Sequence, residues 1–185
     1  EKSPTYAGLP WLTEEELFQV PNLRAVAVET EVKDLVPTAQ RCIDAGFHVH
    51  LDKPGGESFP AFQRLIASAA QRKLVVQMGY MFRYNPAFEL CFQLAREGML
   101  GEIFSIECQM SKLLGGYERT ALLAYRGGSM FELGCHVIDA VVHLLGRPDR
   151  VTPYHRATTS DGFADNQLAV LEYPHATVSV RSALA

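Results

Sequence analysis

The sequence predicts an α/β unit with a parallel sheet, followed by an α+β unit whose mostly antiparallel, open-faced sheet carries a packed helix. Two observations predict it. Between residues 23 and 79, short apolar runs alternate with helix-like segments, the pattern of strands joined by helical crossovers. Beyond residue 100 the strand-like runs lengthen, and the last three follow one another with turns between them, a pattern that pairs strands head to tail.

Each element follows in order. Residues 12–18 (LTEEELF) place Thr13 ahead of three acids, a helix start in which a hydroxyl caps free N–H groups and carboxylates face the positive end of the dipole. Residues 25–28 (AVAV) are a short apolar strand, expected to be buried on both faces. Residues 36–45 read as a helix ending at Gly46, residues 47–51 (FHVHL) as a second strand, and residues 58–71 as a helix with Pro60 in its first turn. A third strand over 74–78 ends at Gly79. Next come a helix over 86–97 between Pro86 and Gly98, a strand over 102–112, a glycine-bearing loop and a helix over 129–145. Strands over 150–157, 166–173 and 176–183 close the chain, the last two joined by a turn around Pro174. The change of style places a domain boundary near residue 83, between units 1–82 and 83–185.

Composition narrows the function. The 185 residues are 48% apolar and carry a net charge of −4, with neither the basic stripe of a nucleic-acid binder nor the ~20-residue apolar run of a membrane span. Residues 1–20 carry acids and prolines where a signal peptide has an apolar core. Cys42, Cys91, Cys108 and Cys135 show no CxxC spacing and read as reduced thiols of a cytoplasmic protein. His48 and His50 alternate along one strand and read as partly buried structural histidines.

Two places carry chemistry. Lys53 ends a parallel strand, the edge at which open α/β sheets bind ligands, and Pro54 holds it extended. Gly55 and Gly56 would let another molecule approach the backbone. There Lys53 can hydrogen-bond a substrate hydroxyl; otherwise it is a solvated turn lysine. On the 129–145 helix, Asp139 and His143 lie four residues apart, ~40° around the axis, and point the same way with His136. A histidine beside a carboxylate on an apolar helix suits alcohol oxidation, because a base must take the hydroxyl proton as hydride leaves carbon. A metal site of His136, Asp139 and His143, or a purely structural Asp–His pair, are the alternatives.

In this order the segments AVAVETEV, CIDAGFHVHLDKPGG, MGYMFRYNPAF and GGSMFELGCHVIDAVVHLLGRPDRV resemble the glucose–fructose oxidoreductase/inositol dehydrogenase (Gfo/Idh/MocA) family. That resemblance implies part of a Rossmann domain followed by a large, mostly antiparallel sheet, and hydride exchange between NAD or NADP and a sugar, cyclitol or polyol. It makes Lys53 the lysine that touches substrate and nicotinamide ribose, His143 the general acid/base and Asp139 its orienting partner. Thr30 and Asp52 fall near the cofactor, and Met81 and Arg83 where the family lines the sugar pocket or supports the cofactor. No metal is implied. A homo-oligomer is, because an open sheet face needs cover.

The sequence also departs from the family. It has no GxGxxG, the loop that cradles pyrophosphate at a helix N-terminus. The chain therefore reads as cut off before that loop, and by itself is expected to bind NAD(H) weakly. Glu29 and Glu31 are unusual neighbours for bound phosphates, and Phe82 replaces a polar sugar contact of some inositol-type members. Two other functions share these residues: a non-catalytic sugar- or nucleotide-binding regulator, which would usually have lost Lys53 or the histidine, and an NAD-assisted glycoside hydrolase.

Overall fold

The computed structural model describes residues 8–123 and 127–184. It contains two sheets. In the first, β1 (Ala25–Val28), β2 (His48–Leu51) and β3 (Val76–Met78) pair in parallel in that order. In the second, β4 (Ser105–Gln109), β7 (Thr177–Ala183), β6 (Asn166–Glu172) and β5 (Arg150–Arg156) lie side by side. The β7–β6 and β6–β5 pairs are antiparallel and β4–β7 is parallel. A partial parallel Rossmann-like sheet followed by a mostly antiparallel sheet with packed helices is thus the fold.

The first sheet is covered on one face. Helix α1 (Glu14–Phe18) starts in a capping box, Thr13 accepting from the Glu16 N–H while the Glu16 carboxylate accepts from the Thr13 N–H. An ion pair of 2.6 Å between Glu14 and Arg41 ties it to α2 (Val32–Asp44). Helices α2 and α3 (Phe59–Gln71) bury Leu35, Ile43 and Leu65 against Val28, Val49 and Leu51, each such side chain contributing roughly 1.5–3 kcal/mol. Ala25, Ala27, His50, Val75 and Gln77 line the other face and are exposed. The two-sided burial expected of β1 is therefore not present among the described residues, because α2 and α3 lie on the same side. His48 accepts from the Val75 N–H at 3.0 Å and is half-buried, whereas His50 is exposed beside Gln77.

Helix α2 begins a turn earlier than its sequence predicts. Buried Val32, Leu35 and Val36 form its inner stripe, and Pro37 is tolerated because it lies on the exposed side, where the carbonyl it cannot serve meets water. After β3 come a 3₁₀ turn (Met81–Tyr84) and α4 (Pro86–Arg96), capped by the Asn85 side chain.

The expected loop ahead of the long helix contains a short helix, α5 (Gly116–Leu122). Its Arg119 bonds Asp161 at 2.6 Å and Asp165 at 2.9 Å, so α5 is placed by a partner more than forty residues away and local sequence gave no sign of it. The long helix consists of a π-helical turn (Met130–Gly134) running into α6 (Cys135–Leu145). Val137 and Val141 of α6 pack on Ala169, Leu171, Val178 and Val180 of the second sheet. No helix among the described residues is long and apolar enough to cross a membrane.

Asp165 is fully buried and accepts from Arg119, the Thr158 hydroxyl (2.6 Å) and the Thr158 N–H (2.9 Å). Burial opposes its charge, but the bonds from Thr158 and Arg119 win and hold the carboxyl below the usual carboxylate range. Its folded value being the lower one, the stabilisation is present above the unfolded value of 3.8 and lost as pH falls through the folded value. Asp165→Asn is expected to lower the melting temperature by about 5 °C or more at neutral pH. The gap to wild type should narrow below about pH 4, as followed by circular dichroism.

Candidate functional site

The site lies where the carboxyl end of β2 meets the π turn. Lys53 lies two residues past the end of β2 and reaches across to Glu132. Its Nζ donates to Glu132 Oε1 at 2.6 Å and to the Glu132 backbone carbonyl at 3.1 Å. The side chains are 15% and 24% exposed, so the pair is shielded but open on one side. The loop that presents Lys53 is held close to the protein itself. Gly55 and Gly56 both have positive φ, and a Cβ at Gly56 would meet Val36 Cγ2 at 2.8 Å. The two glycines therefore serve packing within the chain as well as any approach from outside.

The π turn accounts for the place of Glu132. Ser129 is completely buried, and the Gln167 side-chain oxygen of β6 accepts from its hydroxyl at 2.9 Å and from the Met130 N–H at 2.7 Å. The turn is thereby fixed to the second sheet at its start. A π turn spaces its carbonyls more widely than an α-helix, and here the Glu132 carbonyl accepts from Lys53 and from the Cys135 thiol (3.5 Å).

One turn further on, His136 is buried between two aromatic rings from the segment after β3. Tyr80 meets it edge-on at 6.2 Å and Phe82 at 6.0 Å. Burial, and then the charge of Lys53, push the imidazole below its ordinary value, so the neutral form is favoured near neutral pH. Burial also raises the Cys135 thiol and the Tyr80 phenol, each to about 12, which keeps both protonated. Neutral imidazole beside a lysine–glutamate pair can accept a proton from a bound hydroxyl.

The other expected site residues divide. Asp52, beside Lys53, has its N–H on the Val28 carbonyl at 2.9 Å and acts electrostatically on His136. Thr30 is exposed just past β1, its hydroxyl bonded to the Glu31 carbonyl. Met81 is exposed on the 3₁₀ turn. Arg83 donates to both Asp139 oxygens, at 2.8 and 2.5 Å, so Asp139 is turned to Arg83 and not to His143. His143 itself is exposed, with its ring against Phe92 of α4 at 5.3 Å and its carbonyl accepting from Arg96. Seven residues separate it from His136, about 10 Å along the helix axis, so the two histidines cannot both stand beside Lys53. Among the described residues, no group of three or more His, Cys, Asp or Glu side chains is arranged to hold a metal.

Glu132 was not singled out from the sequence, although it stands two residues before Gly134 and four before His136 in a segment that carries the family resemblance. The signal was present in GGSMFELGCH, but the D-x-x-x-H spacing of Asp139 and His143 offered a competing pair on the same helix.

Comparisons with known proteins agree with this architecture. A model of the GFO/IDH/MocA C-terminal domain matches residues 88–185. The trans-1,2-dihydrobenzene-1,2-diol dehydrogenase of Sus scrofa is 25% identical over 162 residues, covering 86% of this chain and 48% of that protein. The D-xylose 1-dehydrogenase (NADP(+)) 2 of Haloferax volcanii is 29% identical over 144 residues, covering 75% and 43%. The structure of myo-inositol 2-dehydrogenase from Lactobacillus plantarum shares the fold, with a TM-score of 0.83 at 17% identity over 94% of this chain and 55% of that one. The chain spans about half the length of the curated relatives it matches. With its family domain matched over more than half its length and the lysine loop packed against it, the chain belongs to the Gfo/Idh/MocA family of oxidoreductases.

Proposed function

We propose that the protein to which this chain belongs is an NAD(P)-dependent dehydrogenase acting on a hydroxyl carbon of a sugar, cyclitol or other polyol, with Lys53, Glu132 and His136 as the reacting cluster. The observation that carries this is the 2.6 Å Lys53–Glu132 pair at the end of a parallel strand, one helical turn from a buried imidazole. Relatives named as dehydrogenases of xylose, scyllo-inositol and a dihydrodiol support the substrate class.

The residues present suit the nicotinamide end of the cofactor. Asp52 and Lys53 follow β2 and Thr30 follows β1, at the edge where dinucleotides cross such sheets, and Gly79 leaves only 3.3 Å between its own added Cβ and the Asp52 carboxylate. The bound nicotinamide would supply the hydride acceptor. Lys53 is placed to donate a hydrogen bond to the substrate hydroxyl or nicotinamide ribose, its charge balanced by Glu132. His136 takes the hydroxyl proton in oxidation and returns it in reduction. Met81, exposed on the turn after β3, would border the substrate. We place this enzyme in the cytoplasm, where Cys42, Cys91, Cys108 and Cys135, all free thiols, stay reduced. A homo-oligomer would cover the open face of the second sheet.

The test is turnover of the full-length gene product on xylose, scyllo-inositol and a trans-dihydrodiol with NAD or NADP, followed by reduced-nicotinamide absorbance. Lys53→Met is expected to lower kcat at least ~10²-fold while circular dichroism stays that of wild type; near-normal turnover on every substrate would remove Lys53 from the reaction. For oxidation, kcat/KM should fall on the acid side as His136 protonates. Because burial holds His136 below the ordinary imidazole value of 6.5, that limb lies below about pH 6.5. His136→Asn should abolish the limb and cost ~10²–10⁴ in rate, whereas His143→Asn should keep it. The reverse result would return the acid/base role to His143.

A further inference from the structure

His136 is oriented from outside its own helix. Its Nδ1 is enclosed with no hydrogen-bond partner among the described residues, so the ring is not tethered there and packing decides where it points. That packing comes from the segment after β3. Tyr80 and Phe82 both meet the imidazole, and Phe82 is itself stacked on Phe88 at 4.2 Å. Between Tyr80 and Phe82 on one side and α6 on the other, the polar link among the described residues is Arg83 on Asp139. Two parallel bonds from a planar guanidinium fix rotation as well as distance. Arg83 also lies over the Tyr80 ring, 5.8 Å from its centroid, so one side chain braces both the aromatic wall and the helix.

The charges around His136 come from every element packed on it. Asp52 and Lys53 come from the loop after β2, Glu132 from the turn before it, Cys135 and Asp139 from its own helix, and Tyr80 and Arg83 from the segment after β3. Lys53 is already paired with Glu132. The Asp139 side chain is 8% exposed, and without Arg83 it would be a buried negative charge one turn from the imidazole, favouring the protonated ring.

We propose that Arg83 and Asp139 are a positioning pair for His136, clamping residues 80–83 onto α6 and cancelling the buried carboxylate so that the imidazole remains free to accept a proton. The proposal rests on His136 as the acid/base, but neither Arg83 nor Asp139 touches the reacting atoms.

The test is an NMR titration of the His136 ring in ¹³C,¹⁵N-histidine protein, its signal assigned by loss in His136→Asn. It is run on wild type, Arg83→Lys, Arg83→Gln and the double variant Arg83→Gln/Asp139→Asn. Arg83→Gln should raise the His136 midpoint by about one pH unit, and the double variant should return it to the wild-type value. Arg83→Lys keeps the charge but not the fork. It should therefore titrate like wild type yet lower kcat/KM of the full-length protein about tenfold. Should Arg83→Gln fail to fold, Arg83→Lys and the double variant still decide the matter, since both must keep the wild-type midpoint while losing turnover. One midpoint in wild type and a folded Arg83→Gln, or wild-type kcat/KM in Arg83→Lys, overturns the pair. Full turnover in His136→Asn would instead remove the acid/base assignment, and the NMR result would stand apart from it.

Discussion

The site depends on one constraint: an ammonium and a carboxylate, 79 residues apart in sequence, must meet in a shielded place. Lys53 comes from the parallel sheet and Glu132 from a turn anchored on the antiparallel one. Such a pair does not form cheaply, since both ions lose water and only close geometry with added hydrogen bonds offsets the loss. Both requirements are met, because Lys53 Nζ finds the Glu132 carbonyl as well as its carboxylate. Everything that sets either end then bears on the site: the Gly55–Gly56 loop against Val36 at one end, and Gln167 against Ser129 and Met130 at the other.

The interior is arranged so that charges come in pairs around a single neutral base. Lys53 faces Glu132, and Arg83 faces Asp139. Between the two pairs lies His136, walled by Tyr80 and Phe82. Burial removes water that would stabilise imidazolium, and with Glu132 and Asp139 engaged by cations, the pull of the neighbouring carboxylates, Asp52 included, does not outweigh it. The thiol of Cys135 and the phenol of Tyr80 stay protonated for the same reason. Of the groups lining this corner, His136 is the one poised to change charge near neutrality.

The sheets were legible because their signals are local. Short apolar runs marked β1, β2 and β3, and the turn at Pro174 marked the β6–β7 hairpin. What was not legible rests on distant partners. Helix α5 exists where Arg119 finds Asp161 and Asp165, and nothing near residue 119 announces that. The surroundings of the two histidines on one helix were hidden for a related reason. Helical periodicity puts Asp139 and His143 on one face, but it does not show which cation waits there. Arg83, 56 residues earlier, claims Asp139 and leaves His143 to pack on Phe92.

The same logic explains why the π turn belongs at this point. Met130 to Gly134 must satisfy two demands at once, lying flat enough on β6 and β7 for Ser129 to be fully buried and lifting Glu132 toward the other sheet. A regular α-helix would direct the Glu132 carbonyl down its own axis to the N–H four residues on. Here that carbonyl also accepts from Lys53. Gly134 completes the arrangement, because a Cβ there would lie 2.5 Å from the Met130 sulfur, crowding the turn from inside. A larger residue would require the Met130 side chain, which packs on the second core, to shift. The irregular turn is thus the joint through which packing on the second sheet sets the electrostatics at the end of the first.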